Sequence, residues 1–199
     1  MKPNYYLLLV IIIGFILPVS CKKTQPVDQL SLLPPATTTG ANTFGCLVNG
    51  TAMLPTDVKP SLSNPNPNGG IEKVFWDSAI LEIAIYNANS KEPEPYYLLF
   101  HFGTFNKLQS GVTINWEQSS FDDQFSPYYM YHNHLTGSFY DDSSKVYHWY
   151  GSYNGSGSII LTNFNTSQKI ISGTFSGKMR MQNGNKEVLI TNGRFDIKW

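Results

Sequence analysis

Two histidines stand two positions apart, His132 and His134. On an extended strand such a pair projects from one face, a workable spacing for two imidazole ligands of a transition metal. Asp141, Asp142 and His148 follow at a distance that a hairpin can close, and would complete such a site. The plainer reading is a wet strand face that holds no metal, and no cofactor is expected. A second set is aromatic: Tyr128, Tyr129, Tyr131, Tyr140, Tyr147, Trp149, Tyr150 and Tyr153. Flat rings beside Asp, Asn and His grip sugars by covering C–H faces while the polar groups take hydroxyls. The same rings also serve simply to pack on a sheet. The ligand-binding candidates are therefore Tyr128, Tyr131, His132, His134 and Trp149.

Signals for hydrolysis are poor. Neither Gly-x-Ser-x-Gly nor His-Glu-x-x-His occurs. The adjacent acids Asp122-Asp123 and Asp141-Asp142 could pair as glycosidase acid and nucleophile, but acids in turns more often form the turn. Cys46 lies in the apolar run Phe44-Gly45-Cys46-Leu47-Val48, with no cation or histidine beside it, so a buried, inert thiol is expected. No catalytic residue is assigned, and the chain is read as a non-enzyme.

The elements that must position these residues begin with the N-terminus. Lys2 and the amino group form a positive region, Tyr5 to Leu17 an apolar one, and Ser20 a small residue before a cleavage point, the order of a secretory signal. The apolar run is shorter than the ~18–20 residues that span a bilayer as a helix, and Gly14 and Pro18 interrupt it. Leu17-Pro18-Val19-Ser20-Cys21 resembles a bacterial lipobox, with Pro18 in the place usually given to leucine. That resemblance implies removal of residues 1–20 and a Cys21 carrying diacylglycerol and an acylated amino terminus. One acyl chain binds a bilayer with only about 10⁴ M⁻¹, and several chains anchor stably. Lys22, rather than an aspartate, favours the outer membrane, with either face open. Residues 22–42 carry Pro26, Pro34, Pro35 and Thr37-Thr38-Thr39 without periodicity, and read as an extended tether.

The rest of the 199 residues suffices for one domain, 43–199. Fourteen Lys and Arg balance 14 Asp and Glu, for a formal net charge of +0. With no basic stripe, nucleic acid is not an expected partner, nor is electrostatic attachment to anionic lipid. Glycine, asparagine, threonine and aromatic residues favour strands and turns. Strands are expected at Thr43–Val48, Ala79–Tyr86, Tyr96–Phe102, Val112–Trp116, Tyr128–His134, Val146–Tyr150 and Ser158–Phe164, with a short return over Thr51–Leu54. Asn49-Gly50 should turn a hairpin. Ile171–Met181 alternates strictly, Asn183-Gly184 turns, and Glu187–Trp199 returns, with Gly193 marking a bulge. The expectation is all-β: an antiparallel sandwich or flattened barrel of about nine or ten strands, with a closed up-and-down barrel as the alternative.

Three segments resemble a group of Bacteroidota-type lipoproteins of unknown function: Thr39 to Gly50 at the start of the domain, Ile171 to Gly177, and Thr191 to Ile197. Asp77-Ser78-Ala79 similarly resembles the short O-glycosylation site of exported proteins of that kind. The resemblance implies an exported β domain, and no catalytic residue is carried over. The functional expectation is an outer-membrane lipoprotein with a binding or assembly role. A glycan or small-ligand module of a surface uptake system ranks second, and a hydrolase third. The expected partners are the membrane, through the lipid, and a glycan or a protein.

Overall fold

The computed structural model describes residues 27–56, 70–77, 80–87, 96–119, 131–141 and 143–199. Within them lie eleven antiparallel strands curled through 267° into a half-barrel. They are β1 (Thr43–Val48), β2 (Thr51–Met53), β3 (Ile71–Asp77), β4 (Ile80–Asn87), β5 (Tyr96–Phe102), β6 (Thr113–Asn115), β7 (Asn133–Asp141), β8 (Val146–Gly151), β9 (Gly157–Asn165), β10 (Ile170–Met181) and β11 (Glu187–Lys198). Their order is β2-β1-β11-β10-β8-β7-β5-β4-β3, with β9 on β10 and β6 on β9. This is the expected all-β antiparallel architecture, curled as a half-barrel.

The β10–β11 hairpin shows how the sequence sets the register. Val188 and Ile190 are buried at even positions, Phe195 and Ile197 at odd ones. A strand of period two can change parity only by inserting a residue. Both neighbours of β11 record the insertion: Phe175 pairs with Gly193 but Gly177 with Ile190, and Gly45 pairs with Arg194 but Leu47 with Thr191. The bulge therefore sits at Asn192-Gly193, where Asn192 takes a positive φ of 52°. The expected Asn49-Gly50 turn has φ of 49° and 83°, the geometry that matches strand twist in a two-residue hairpin.

The interior is filled by rings from strands far apart in the chain. Phe175 lies 4.8 Å from Phe100 and 5.6 Å from Phe44, and Phe195 lies 6.0 Å from Phe100, centroid to centroid. Cys46 is fully buried beside them, and burial pushes its thiol up to about 12, which makes it inert as a nucleophile.

The upper end of β10 pairs with β8 and the lower part with β9, so the sheet forks there. Trp116, only 1 % exposed, fills the fork. It lies on Gly157 and Gly177, where a Cβ on either would strike the indole. Ser152 then ties the fork shut. Its Oγ donates to the Glu117 carbonyl at 2.8 Å and accepts from the Leu135 N–H at 3.0 Å, while Ser119 Oγ donates to the Ser152 carbonyl at 3.1 Å.

The edges left by the partial curl are bridged at both ends. Thr56 N–H donates to the Tyr86 carbonyl at 3.0 Å and Asn87 Nδ2 to the Leu54 carbonyl at 2.8 Å. At the other end Lys73 Nζ donates to the Lys198 carbonyl at 2.8 Å.

The structure departs from or adds to the sequence reading at three places. Of the strand expected at Tyr128–His134, residues 128–130 lie outside the described residues, Tyr131 and His132 lie in a turn, and the strand begins at Asn133 and runs to Asp141, with Leu135 and Phe139 on its inward face. Ile71–Asp77 is an additional strand. In the stretch read as an extended tether, the residues from 27 onward are docked: a short 3-10 helix over Gln29–Leu32 accepts the Ala52 N–H on Gln29 Oε1 at 3.0 Å. Leu33 is buried, Pro34 packs on Gly45, and Arg194 Nη1 donates to the Pro34 carbonyl at 3.2 Å.

Asp196 fixes the remainder of that stretch. Its carboxylate, fully buried, accepts from Thr37 Oγ1 (2.7 Å), Thr39 N–H (2.9 Å), Gly40 N–H (2.8 Å), Ala41 N–H (3.1 Å) and Ser172 Oγ (2.6 Å). Burial alone pushes the carboxyl up, but the donors of Ser172, Thr37, Ala41 and Gly40 outweigh it and hold it at about 2. Thr39-Gly40-Ala41, Ile171-Ser172-Gly173 and Phe195-Asp196-Ile197, each part of one of the three segments singled out from the sequence, thus meet on one carboxylate.

Candidate functional site

The sequence candidates fall into separate places. Tyr128 and Tyr129 lie outside the described residues, as do Cys21, Asp122, Asp123, Asp142 and the Ser78-Ala79 of the glycosylation pattern. Tyr131 is 57 % exposed in the turn before β7, and His132 beside it is half-buried. His134 enters β7 and pairs across to His101 on β5, which pairs to Glu82 on β4. The two imidazoles stack at 4.5 Å with planes 12° apart, and His101 Nδ1 meets Glu82 Oε1 at 2.9 Å. Burial, then the neighbouring His101, pushes His134 down to about 3, so it is neutral at ordinary pH. Its Nδ1 has no hydrogen-bond partner among the described residues. The carboxylate–imidazole–imidazole line is oriented and mostly covered, with His101 8 % and Glu82 19 % exposed.

Asp141 closes the other end of β7. Seven strand residues, about 23 Å at the usual rise, separate it from His134. The metal set weighed from the sequence is therefore not brought together: a continuous strand holds its two halves apart. His148 does approach Asp141, at 3.9 Å, and Ser144 Oγ lies 3.1 Å from its Nε2. Among the described residues no group of three or more His, Cys, Asp or Glu could hold a metal ion.

Trp149 lies on the sheet's outer face, 43 % exposed. It belongs to a row in register across four strands, Tyr86, Tyr97, Ser138 and Trp149. Tyr97 stands 5.2 Å from Tyr86 and 5.9 Å, edge-on, from Trp149. Glu72 Oε2 accepts from Tyr86 O–H at 3.2 Å. Tyr140 and Tyr147, 5.2 Å apart, extend the aromatic surface at the next pair. The row is a ring platform with one accessible indole.

A roomier hollow lies elsewhere. A cavity of about 550 Å³ opens at the end of the barrel where the β1–β2, β7–β8 and β10–β11 connections converge. Its floor is buried and apolar: Met53, Phe139, Tyr150 and Val188. Phe139 and Tyr150 pack edge to face at 5.7 Å. Its rim is polar, with Asn49, Asn87, Asp141, Lys186 and Glu187. Lys186 Nζ donates to Asp141 Oδ2 at 2.6 Å, clasping two hairpins. That hydrogen bond, followed by those from Ser143, holds the Asp141 carboxyl well below the usual range. Glu187 is likewise held down, first by the hydrogen bond from Tyr153 O–H at 2.8 Å. Arg180 lies 4.4 Å over the Tyr153 ring beside it. An apolar floor under an amide and charged rim suits a small molecule with one greasy face and several hydroxyls, and the volume falls within the usual range for such sites.

Sequence reasoning missed this cup because each contributor sits on a different hairpin. Counting alternate turns does not find it either: β8 and β9 both run antiparallel to β10, so the β10–β11 turn joins the β1–β2 and β7–β8 turns only through the fork. No family model, curated protein or solved structure matches the chain.

Proposed function

We propose that this chain is an outer-membrane lipoprotein, anchored through Cys21, whose half-barrel has a non-enzymatic binding role. The observation that carries the binding role is the cup at the barrel's end: a floor of Met53, Phe139, Tyr150 and Val188 beneath Asn87, Asp141 and Lys186. The ligand class it suits is a glycan or similar polyol with an apolar face. The resemblance to Bacteroidota-type lipoproteins points toward the same reading.

Titration with a panel of glycans, followed by amide chemical shifts, tests the cup. Asn87→Ala should weaken the response about tenfold, the worth of one or two lost hydrogen bonds, and Trp149→Ala should leave it unchanged. Radiolabelled palmitate incorporation, lost in Cys21→Ala, tests the anchor.

A second reading, glycan capture by a surface uptake module, is favoured by the exposed Trp149 at the end of its aromatic row. The same titration separates the two, because here Trp149→Ala abolishes the response. A hydrolase ranks third, since the Glu82–His101–His134 line offers acid–base groups but little access to them.

A further inference from the structure

The docked N-terminal stretch carries apolar side chains that its docking leaves uncovered. Val27 is 61 % exposed, Leu30 46 % and Leu32 45 %. The exposed aliphatic residues Val146, Ile160 and Leu189 lie on three different strands. Here three fall within six residues, on a segment held rigidly from beneath. Leu33 is buried under it, Gln29 accepts from Ala52 on β2, and Asp28 Oδ1 caps the 3-10 helix by accepting the Leu30 N–H at 3.0 Å. A cluster of this kind is unusual on a surface that meets only water.

We infer that this edge is the surface on which the domain sits on the bilayer, with Val27, Leu30 and Leu32 entering the lipid interface. The inference rests on the reading of Cys21 as the lipidated residue. Covalent geometry then decides which surface meets the membrane. Six residue steps separate Cys21 from Val27, and even a fully extended chain of that length reaches only about 20 Å. β10 and β11 are each 12 residues long, about 40 Å, so the domain is larger than its leash. The edge nearest the leash is the Gln29–Leu32 helix. Apolar side chains on an interfacial helix settle roughly 5–10 Å into the headgroup and acyl boundary, a depth within that reach. Burying three clustered aliphatic side chains there removes the exposure that the domain itself leaves, by the ordinary hydrophobic drive.

The test uses the full chain, produced with its leader so that acylation can occur. The protein is placed in phosphatidylethanolamine–phosphatidylglycerol vesicles carrying brominated acyl chains. A polarity-sensitive dye is attached at Leu32→Cys or, as the contrast, at Ser167→Cys in the exposed β9–β10 turn at the opposite end from Asn49-Gly50. Cys46 is buried and escapes labelling. The dye at position 32 should shift to the blue and lose about half its intensity to bromine, as expected for an interfacial depth. The dye at position 167 should keep its aqueous spectrum. Equal quenching at both positions, or at neither, in vesicle-bound protein overturns the seating surface and leaves the anchor intact. An intact mass with a bare Cys21, together with protein that washes off the vesicles, overturns both.

Discussion

Asp196 is buried, His134 is half-buried with its Nδ1 enclosed, and the fold treats these two ionisable groups in opposite ways. Asp196 keeps its charge because six donors, three of them backbone N–H groups, replace its water. His134 gives up its charge because its surroundings offer a stacked imidazole and leave Nδ1 without a partner among the described residues. A buried group stays ionised only when hydrogen bonds to the charged form exceed the loss of hydration. The two outcomes nonetheless push stability the same way. Each group binds fewer protons folded than unfolded, so each contributes stability that disappears as pH falls.

The comparison can be broken most severely at Asp196. Replacing it with alanine strands the Thr39, Gly40 and Ala41 N–H groups and frees the N-terminal stretch. Urea unfolding of Asp196→Ala should show a loss of about 3–5 kcal/mol, the usual range when one partner of a buried charged network is removed. A loss below about 1 kcal/mol, no more than an ordinary hydrogen bond, would show that water replaces the carboxylate freely.

The pH dependence sharpens the comparison further. The His134 contribution is complete above its unfolded value of 6.5 and is lost as pH falls toward about 3. The Asp196 contribution is complete above its unfolded value of 3.8 and is lost as pH falls toward about 2. His134→Phe, which keeps a flat ring on His101, should flatten the stability profile between roughly pH 6 and pH 4 and leave the lower fall in place. An unchanged profile in that window would remove His134 as the source of acid sensitivity. The smallest effect belongs to a single donor. Thr37→Val keeps the shape but drops one of the bonds to Asp196 and should cost about 1 kcal/mol in the same urea measurement.

The halves of the molecule also differ in how far their sequences could be read. β10 and β11 were legible because one wet and one buried face impose strict alternation, and because Asn183-Gly184 and Gly193 punctuate it. Burial of Cys46 followed from its apolar neighbours. β7 was misplaced because the tyrosines before it have high strand propensity, whereas the positions that matter inward include Gly137, which carries no side chain to read. Trp116 gave no local sign of its role, since the space it fills is made by Gly157 and Gly177 on strands forty and sixty residues away. Docking of residues 27–42 was hidden for a similar reason: the partner of Thr37, Thr39, Gly40 and Ala41 lies more than 150 positions along the chain. Among the candidate sites, an exposed Trp149 was foreseeable from the aromatic cluster. The proposed metal set was not realised because its two halves occupy opposite ends of one strand.

The clamp on Asp196 also determines where the domain yields when pulled. A tug arriving from the N-terminal side reaches the Thr37–Ala41 loop before it reaches β1, and must break several short bonds at once rather than peel them singly. Drag or shear transmitted along the leash is met first where Gln29 holds Ala52, in the wall of the hollow, and only what passes that tie reaches the clamp at the foot of the sheet.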